Sequence, residues 1–208
     1  MTRMTLYGAR GWGSTIVEAM LAVADIPHDF VDVDGFDRPG PMREKLIALN
    51  PLAQVPTLVL ADGTVMTESA AIALLLAELA PGAPLAPPPA APERPHFLRR
   101  LIWLVASVYP TFTYADYPER WTTDEKGLVA SVMAHRQQLW LQFEAEVGAP
   151  HALGERLSAL DIYVAAMVHW RPGRAWFDAK TPRIAAAADA ALAHPAIAAV
   201  MARNFPAG

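Results

Sequence analysis

The sequence predicts a chain in two parts, an α/β half followed by an all-α half. Three observations predict it. Seven of the 19 prolines fall between Pro81 and Pro95, in PGAPLAPPPAAPERP, a run that cannot continue a helix and favours an extended, stiff connector. Upstream of it, short strand-like segments and turn dipeptides alternate with helical stripes. Downstream, apolar residues recur at helical spacing. The expected organisation is an N-terminal domain over 1–80, a proline-rich linker over 81–95 and an all-helical domain over 96–208. The plain alternative for the proline run is a long surface loop inside one domain.

Each element has its own signal. MTLY at 4–7 is a short strand. Ile16, Val17, Met20, Leu21 and Ala24 then share one helical face, and Pro27 stops that helix. DFVDVD at 29–34 alternates apolar and acidic residues, as a half-buried strand does. PMREKLIAL at 41–49 is a weak short helix. TLVL and TVM flank Asp62-Gly63, the signature of a two-residue hairpin, and a helix from Ser69 to Leu79 closes the half. Beyond the linker, one helical stripe runs from Phe97 to Val108 and a second from Val129 to Val147. SALDIYVAAMVHW at 158–170 is a third, strongly apolar helix, and Ala-rich helices follow at 183–193 and 195–204. Ser158 and Asp161 form S-x-x-D ahead of that third helix, a capping box that serves folding rather than chemistry.

Composition narrows the function. A hydrophobic share of 53% with 18% charged residues is that of a globular chain. A formal net charge of −4 and a pI near 5.8 argue against a nucleic-acid surface, which needs a basic face. Cysteine is absent, so protein disulfides, thiolate metal sites and protein thiol redox chemistry are excluded. Any sulfur chemistry has to use the sulfur of a ligand. The six histidines show no ligand spacing, and no metal is expected. GARGWG does not fit a dinucleotide fingerprint, and no phosphate-binding P-loop motif is present. MTRMTLYGAR lacks the apolar core of a secretory signal, and AAIALLLAELA is too short to span a bilayer. A soluble, cytoplasmic protein without membrane partners is expected.

Three motifs carry a resemblance. They are NPLAQVPTL followed by TESAAI, LSALDIYVA in the helical half, and LYGARGWGSTIVEAMLA at the N-terminus. In this order and over roughly residues 4 to 205, the chain resembles the glutathione transferases, of a bacterial, cysteine-free type. The resemblance implies a thioredoxin-like N-terminal domain, an all-α C-terminal domain, glutathione as co-substrate and a homodimer.

It also implies roles for residues. Pro56 would be cis, and Val55, beside Gln54, would pair through its backbone with the cysteinyl part of glutathione as an added strand does. Glu68 and Ser69 would meet the γ-glutamyl end, the carboxylate of Glu68 on its ammonium and Ser69 with the helix N-terminus on its carboxylate. Without a ligand, the same residues read as an ordinary helix start, with Thr67 or Ser69 as N-cap and Glu68 complementing the dipole.

The thiol-activating residue is less defined. The family's usual serine or cysteine positions fall on Gly11, Trp12 and Gly13, none of which carries a hydroxyl. Ser14 at the helix start and Tyr7 at the strand end are the two catalytic candidates, each with an ordinary structural alternative as N-cap or packed aromatic. Arg10 is a third candidate, as a point charge beside the sulfur, and with Trp12 it is counted in the electrophile pocket. An electrophile would need an apolar wall, and WLVASVYPTFTYADYPERW at 103–121 offers Tyr109, Phe112 and Tyr114. The expected activity is conjugation of the glutathione thiolate to a small hydrophobic electrophile. The rival is a non-catalytic binding or interaction protein on the same fold, which Gly11, Trp12 and Gly13 at the usual catalytic positions favour.

Overall fold

Strand β1 (Met4–Gly8) is the central organiser of the α/β part. Its alternate side chains serve two faces: Leu6 is fully buried on one, whereas Tyr7 packs on the other. The crossover helix α1 (Ser14–Val23) and strand β2 (His28–Asp32) follow, and β2 runs parallel to β1 with Leu6 opposite Phe30. After α2 (Pro41–Ile47), β3 (Thr57–Val59) pairs antiparallel with β1 and β4 (Val65–Met66) pairs with β3, giving the order β2-β1-β3-β4. Helix α3 (Ser69–Leu79) closes the motif and packs against α1. The computed structural model describes residues 3–206.

The hairpin departs from the two-residue form expected. Leu60 and Thr64 close the loop through a 2.8 Å bond, so Ala61, Asp62 and Gly63 all lie within it. Gly63 takes φ 89°, which completes a three-residue connection with a left-handed residue last. Asp62 contributes by accepting the Thr64 N–H at 2.9 Å, which holds its carboxyl below the usual range.

The chain falls into two units, one comprising residues up to Pro88 together with those from Ala191 onward, the other Pro89–Ala190. The helical domain was expected to run on to 208; instead the last helix, α10 below, joins the α/β unit.

The second unit is helical. α4 (Arg94–Trp103) passes through a π-helical segment, Leu104–Val108, into α5 (Tyr109–Asp116). Pro110 explains the irregularity: it has no N–H to give and its ring crowds the carbonyl four residues back. The Tyr109 N–H accordingly reaches back five residues to Leu104 O. Arg136, on α6 (Glu125–Glu144) and 1% exposed, pins the start of α5. Its Nε donates to Thr111 Oγ1 at 2.8 Å and its Nη2 to Thr111 O at 2.6 Å, and the guanidinium sits 3.7 Å from the Phe112 ring centroid. Burial lowers its pKa to about 10, so it remains charged at neutral pH.

Helix α7 (Ala159–Met167) begins with the expected capping box, Ser158 N–H donating to Asp161 Oδ2 at 2.8 Å. Helices α8 (Arg174–Lys180) and α9 (Pro182–Leu192) follow, and Phe177 of α8 meets Trp140 of α6 edge-on at 5.2 Å. The chain ends in α10 (Pro195–Asn204), which packs along α1 in the α/β unit. Among the described residues no single helix is long and apolar enough to cross a membrane.

Candidate functional site

The segment ahead of β3 is shaped by two polar side chains. Asn50 is buried and donates through Nδ2 to Gln54 O at 3.1 Å and to Thr57 Oγ1 at 3.2 Å. Thr57 Oγ1 in turn donates to Gln54 O at 2.9 Å. This small network fixes the chain around Val55, and the Val55–Pro56 bond is cis. Val55 itself lies just outside the ladder, which opens at Thr57. Its side chain packs on the cluster of Ala9, Val33, Phe36 and Leu46, which also receives Tyr7 and Trp12. An edge residue held in this way can offer its backbone to an extended ligand.

Glu68 carries the clearest backbone signature in this unit. It is the N-cap of α3, with φ 61° and ψ 100°, and its side chain makes no capping hydrogen bond. A bulky non-glycine residue at positive φ is strained by about 1–3 kcal/mol. An ordinary N-cap has β-region angles and uses its side-chain oxygen on the first-turn amides. Glu68 does neither, and its carboxylate is exposed. Ser69 is half-buried as the first residue of α3. A carboxylate and a helix N-terminus therefore stand side by side in a conformation that helix capping alone does not require.

The β1–α1 loop gives a different answer from the one expected for Ser14. Its hydroxyl is fully buried; it donates to Ala9 O at 2.9 Å and accepts the Ala9 N–H at 3.0 Å. A hydroxyl has a single hydrogen to give, and here Ala9 holds it. Ser14 is thus a staple that folds the loop back on the strand. Gly8 makes room for it: a Cβ there would lie 2.5 Å from the Ser14 Cβ. Tyr7 is half-buried, with Lys45 Nζ 5.8 Å from its ring centroid. Arg10 is exposed on the loop, and Trp12, half-buried, meets Phe36 edge-on at 5.0 Å. Gln54 is exposed, and it is its carbonyl that the Asn50 network uses.

The aromatic residues of the helical unit divide. Tyr109 and Phe112 both meet Trp170 edge-on, at 5.7 and 5.3 Å, so these three form one cluster. Tyr114 instead meets Trp121 edge-on at 4.9 Å. Burial, with smaller contributions from Tyr163 and Asp116, pushes the Tyr109 phenol above its usual value and keeps it neutral.

Sequence reasoning did not single out Asn50, Thr57, Trp170 or Arg136. The first two sit inside the quoted NPLAQVPT motif, and N-P with a threonine seven residues on was the available signal. For Trp170 and Arg136 no local pattern existed, since their partners lie 24 to 61 positions away.

Fold and site together define a thioredoxin-like α/β unit with a cis-proline edge and a strained acidic helix start, carried on a chain with a helical second unit. Residues 14–79 match the family model described as the glutathione S-transferase N-terminal domain. Over 201 residues, 96% of this chain and 97% of the relative, the chain is 49% identical to the "Uncharacterized GST-like protein YncG" of Escherichia coli (strain K12). The chain belongs to the glutathione transferase family. Among solved structures it resembles a glutathione transferase homologue from Sulfitobacter with bound glutathione, at TM-score 0.86 and 25% identity, covering 98% of this chain and 99% of that one. A sphingomonad glutathione S-transferase complexed with glutathione is similar at TM-score 0.77 and 26% identity, covering 98% of this chain and all of the other.

Proposed function

We propose that this protein binds glutathione in its α/β unit and conjugates the glutathione thiolate to a small apolar electrophile. The observation that carries the reading is the pairing, in one unit, of the cis Val55–Pro56 edge with Glu68 at φ 61° beside Ser69. Val55 pairs with the cysteinyl backbone, and Gln54 and Pro56 shape that edge. The Glu68 carboxylate takes the ammonium of the γ-glutamyl group, and Ser69 with the first turn of α3 takes its carboxylate. The relatives crystallised with glutathione support this assignment.

With the Ser14 hydroxyl engaged by Ala9, the thiolate in this reading rests on the start of α1. Trp12, Thr15 and Ile16 N–H groups turn to Ala9 O, Trp12 O and Gly13 O, and Ser14 is wholly buried, so in this reading the Gly13 N–H is the backbone donor to the sulfur. Lowering a thiol pKa from near 8.5 by about two units requires roughly 2.7 kcal/mol. A hydrogen bond to a charged group contributes about 1.5–3 kcal/mol and a helix terminus about 0.3–1 more, so a backbone donor suffices. Arg10 adds a positive charge on the same loop, and Tyr7 remains the alternative side-chain donor. The thiol proton leaves to solvent; the thiolate attacks the electrophilic carbon, a C–S bond forms and the leaving group departs with its electron pair. The protein acts as a homodimer in the cytoplasm, and sedimentation and cell fractionation check those two points.

A second reading has one observation behind it. No side-chain hydroxyl of Gly11, Trp12 or Gly13 exists, and that of Ser14 is engaged, as in a glutathione-binding protein that does not activate the thiol. An ultraviolet titration of glutathione on the protein separates the two. Thiolate absorbance appearing well below the pH at which free glutathione ionises supports transfer chemistry. Binding with an unshifted titration supports the binding protein, and absence of binding rejects both.

A further inference from the structure

The loop that would face the sulfur is held from the far end of the chain. Asn204, the last residue of α10, is 7% exposed, and its carboxamide is fully used. Its Oδ1 accepts the Gly11 N–H at 3.2 Å and the Thr15 hydroxyl at 2.9 Å. Its Nδ2 donates to Glu18 Oε2 at 2.9 Å and to Val200 O at 3.0 Å. Two donors and two lone pairs are all that an asparagine side chain has, so its orientation is fixed. Glu18 is 8% exposed, and its second oxygen is taken by Arg203 at 2.8 Å. Gly11 sits at φ 76°, a conformation that suits glycine, and a Cβ there would lie 3.5 Å from Asn204 O and 3.6 Å from the Phe205 ring.

We infer that Asn204 is a positioning residue for glutathione chemistry: by holding the Gly11 N–H it sets the β1–α1 loop, and with it the Gly13 N–H at the start of α1 that meets the sulfur. The inference rests on the glutathione reading for its catalytic part. The argument is one of geometry. Ser14 fixes one end of the five-residue loop on Ala9, and Asn204 fixes its middle. Glu18 and Arg203 do not touch the loop; they orient the carboxamide so that its oxygen, rather than its nitrogen, faces Gly11. Backbone donors cannot adjust by rotating a side chain, so their placement depends on the loop being held. Misplacement of a reacting geometry by about 1 Å can cost about 100-fold in rate.

The test uses the full chain in four forms: wild type, Asn204→Ala, Thr15→Val and the double variant Asn204→Asp with Glu18→Gln. Thr15→Val removes a bond from the same carboxamide on its helix side and keeps the Gly11 bond, so it reports a purely structural loss. The double variant exchanges donor and acceptor between residues 18 and 204 and restores an oxygen for Gly11, at the loss of the bond to Val200 O. Residue-resolved amide exchange is followed at Gly11, Trp12 and Gly13, together with the titration of bound glutathione and kcat and KM with an aryl halide.

In Asn204→Ala, loop exchange rises, the bound thiol titrates higher by about one unit, a ~10-fold loss of thiolate, and kcat falls roughly 10- to 100-fold with KM little changed. Thr15→Val lowers the melting temperature and moves none of these readouts, and the double variant recovers them. Equal effects of Asn204→Ala and Thr15→Val, or no recovery in the double variant, overturn the inference. If wild type binds no glutathione, the functional reading fails separately, and loop exchange alone decides: faster in Asn204→Ala but not Thr15→Val supports positioning, and no difference overturns it.

Discussion

Replacing Glu68 by glycine should make the protein more stable and worse at binding glutathione. The stability gain comes from the backbone. At φ 61° and ψ 100°, a glutamate is strained by about 1–3 kcal/mol, and glycine relieves most of that. Against this, glycine loses roughly 0.5–1 kcal/mol more conformational entropy on folding. Nothing is lost at the cap, because the Glu68 side chain makes no capping bond and glycine is itself an acceptable N-cap. The net gain is about 1 kcal/mol, which for a chain of this size raises the melting temperature by about 2–4 °C. Binding moves the other way. A hydrogen bond between charged partners contributes about 1.5–3 kcal/mol, so the Kd for glutathione should rise roughly 10- to 150-fold. Glu68→Gln separates the two effects, since it keeps the strained φ and removes only the charge: affinity drops while the melting temperature stays at the wild-type value. Differential scanning calorimetry and isothermal titration calorimetry measure both. A glycine variant that melts lower than wild type would show that the positive φ is not a stored strain. One that binds glutathione as tightly as wild type would remove Glu68 from the site.

Three further outcomes follow from the same geometry. Ser14→Ala strips both Ala9 backbone groups of their buried partner and should destabilise the protein by roughly 2–4 kcal/mol in denaturant titration; wild-type stability with a raised bound-thiol pKa would return Ser14 to the role of sulfur donor. Asp161→Ala leaves the N–H groups of Ala152 and Ser158 without their acceptor as well as losing the cap, at roughly 3–5 kcal/mol, and a loss under about 1 kcal/mol would refute the capping account. Glu146 is held below its ordinary value of 4.5 by hydrogen bonds from Arg100 and Arg99. Because the folded pKa is depressed, its contribution is complete above about pH 4.5 and is lost as pH falls through the folded value. Glu146→Gln should therefore flatten the acid limb of a melting-temperature profile between pH 3 and 5, and an unchanged limb would count against the pair.

What was legible in the sequence depended on how far apart the cooperating residues lie. β1, α1, β2, α2 and α3 follow from periodicity within windows of a dozen residues, and Ser69–Leu79 was expected with the bounds observed. The Ser158–Asp161 box spans four positions, and its residue types state their own partners. The hairpin was misjudged by one residue because Asp-Gly serves both a two-residue and a three-residue loop. Only the closing pair Leu60–Thr64 distinguishes them, and that pair depends on strand register. The helix over Tyr109–Asp116 was hidden by Pro110, which reads as a breaker; the π-helical turn ahead of it lets the helix continue, and Arg136 holds Thr111 from 25 residues away.

The loop around Gly11 shows why the catalytic position was the hardest to read. A serine at a helix start is chemically able to cap, to staple or to donate to a ligand, and sequence spacing is the same for all three. What decides is whether a backbone group reaches the hydroxyl first, and Ala9 does, because Gly8 lets Ser14 come within the distance that a Cβ would forbid. The choice made by Ser14 is thus written in a glycine six positions earlier. The hold on Gly11 is written in an asparagine 193 positions later, in a helix that an extrapolation from the proline linker assigned to the other domain. The loop's backbone is thus fixed by two holds, Ser14 on Ala9 and Asn204 on Gly11, and only the first lies within the reach of a local reading.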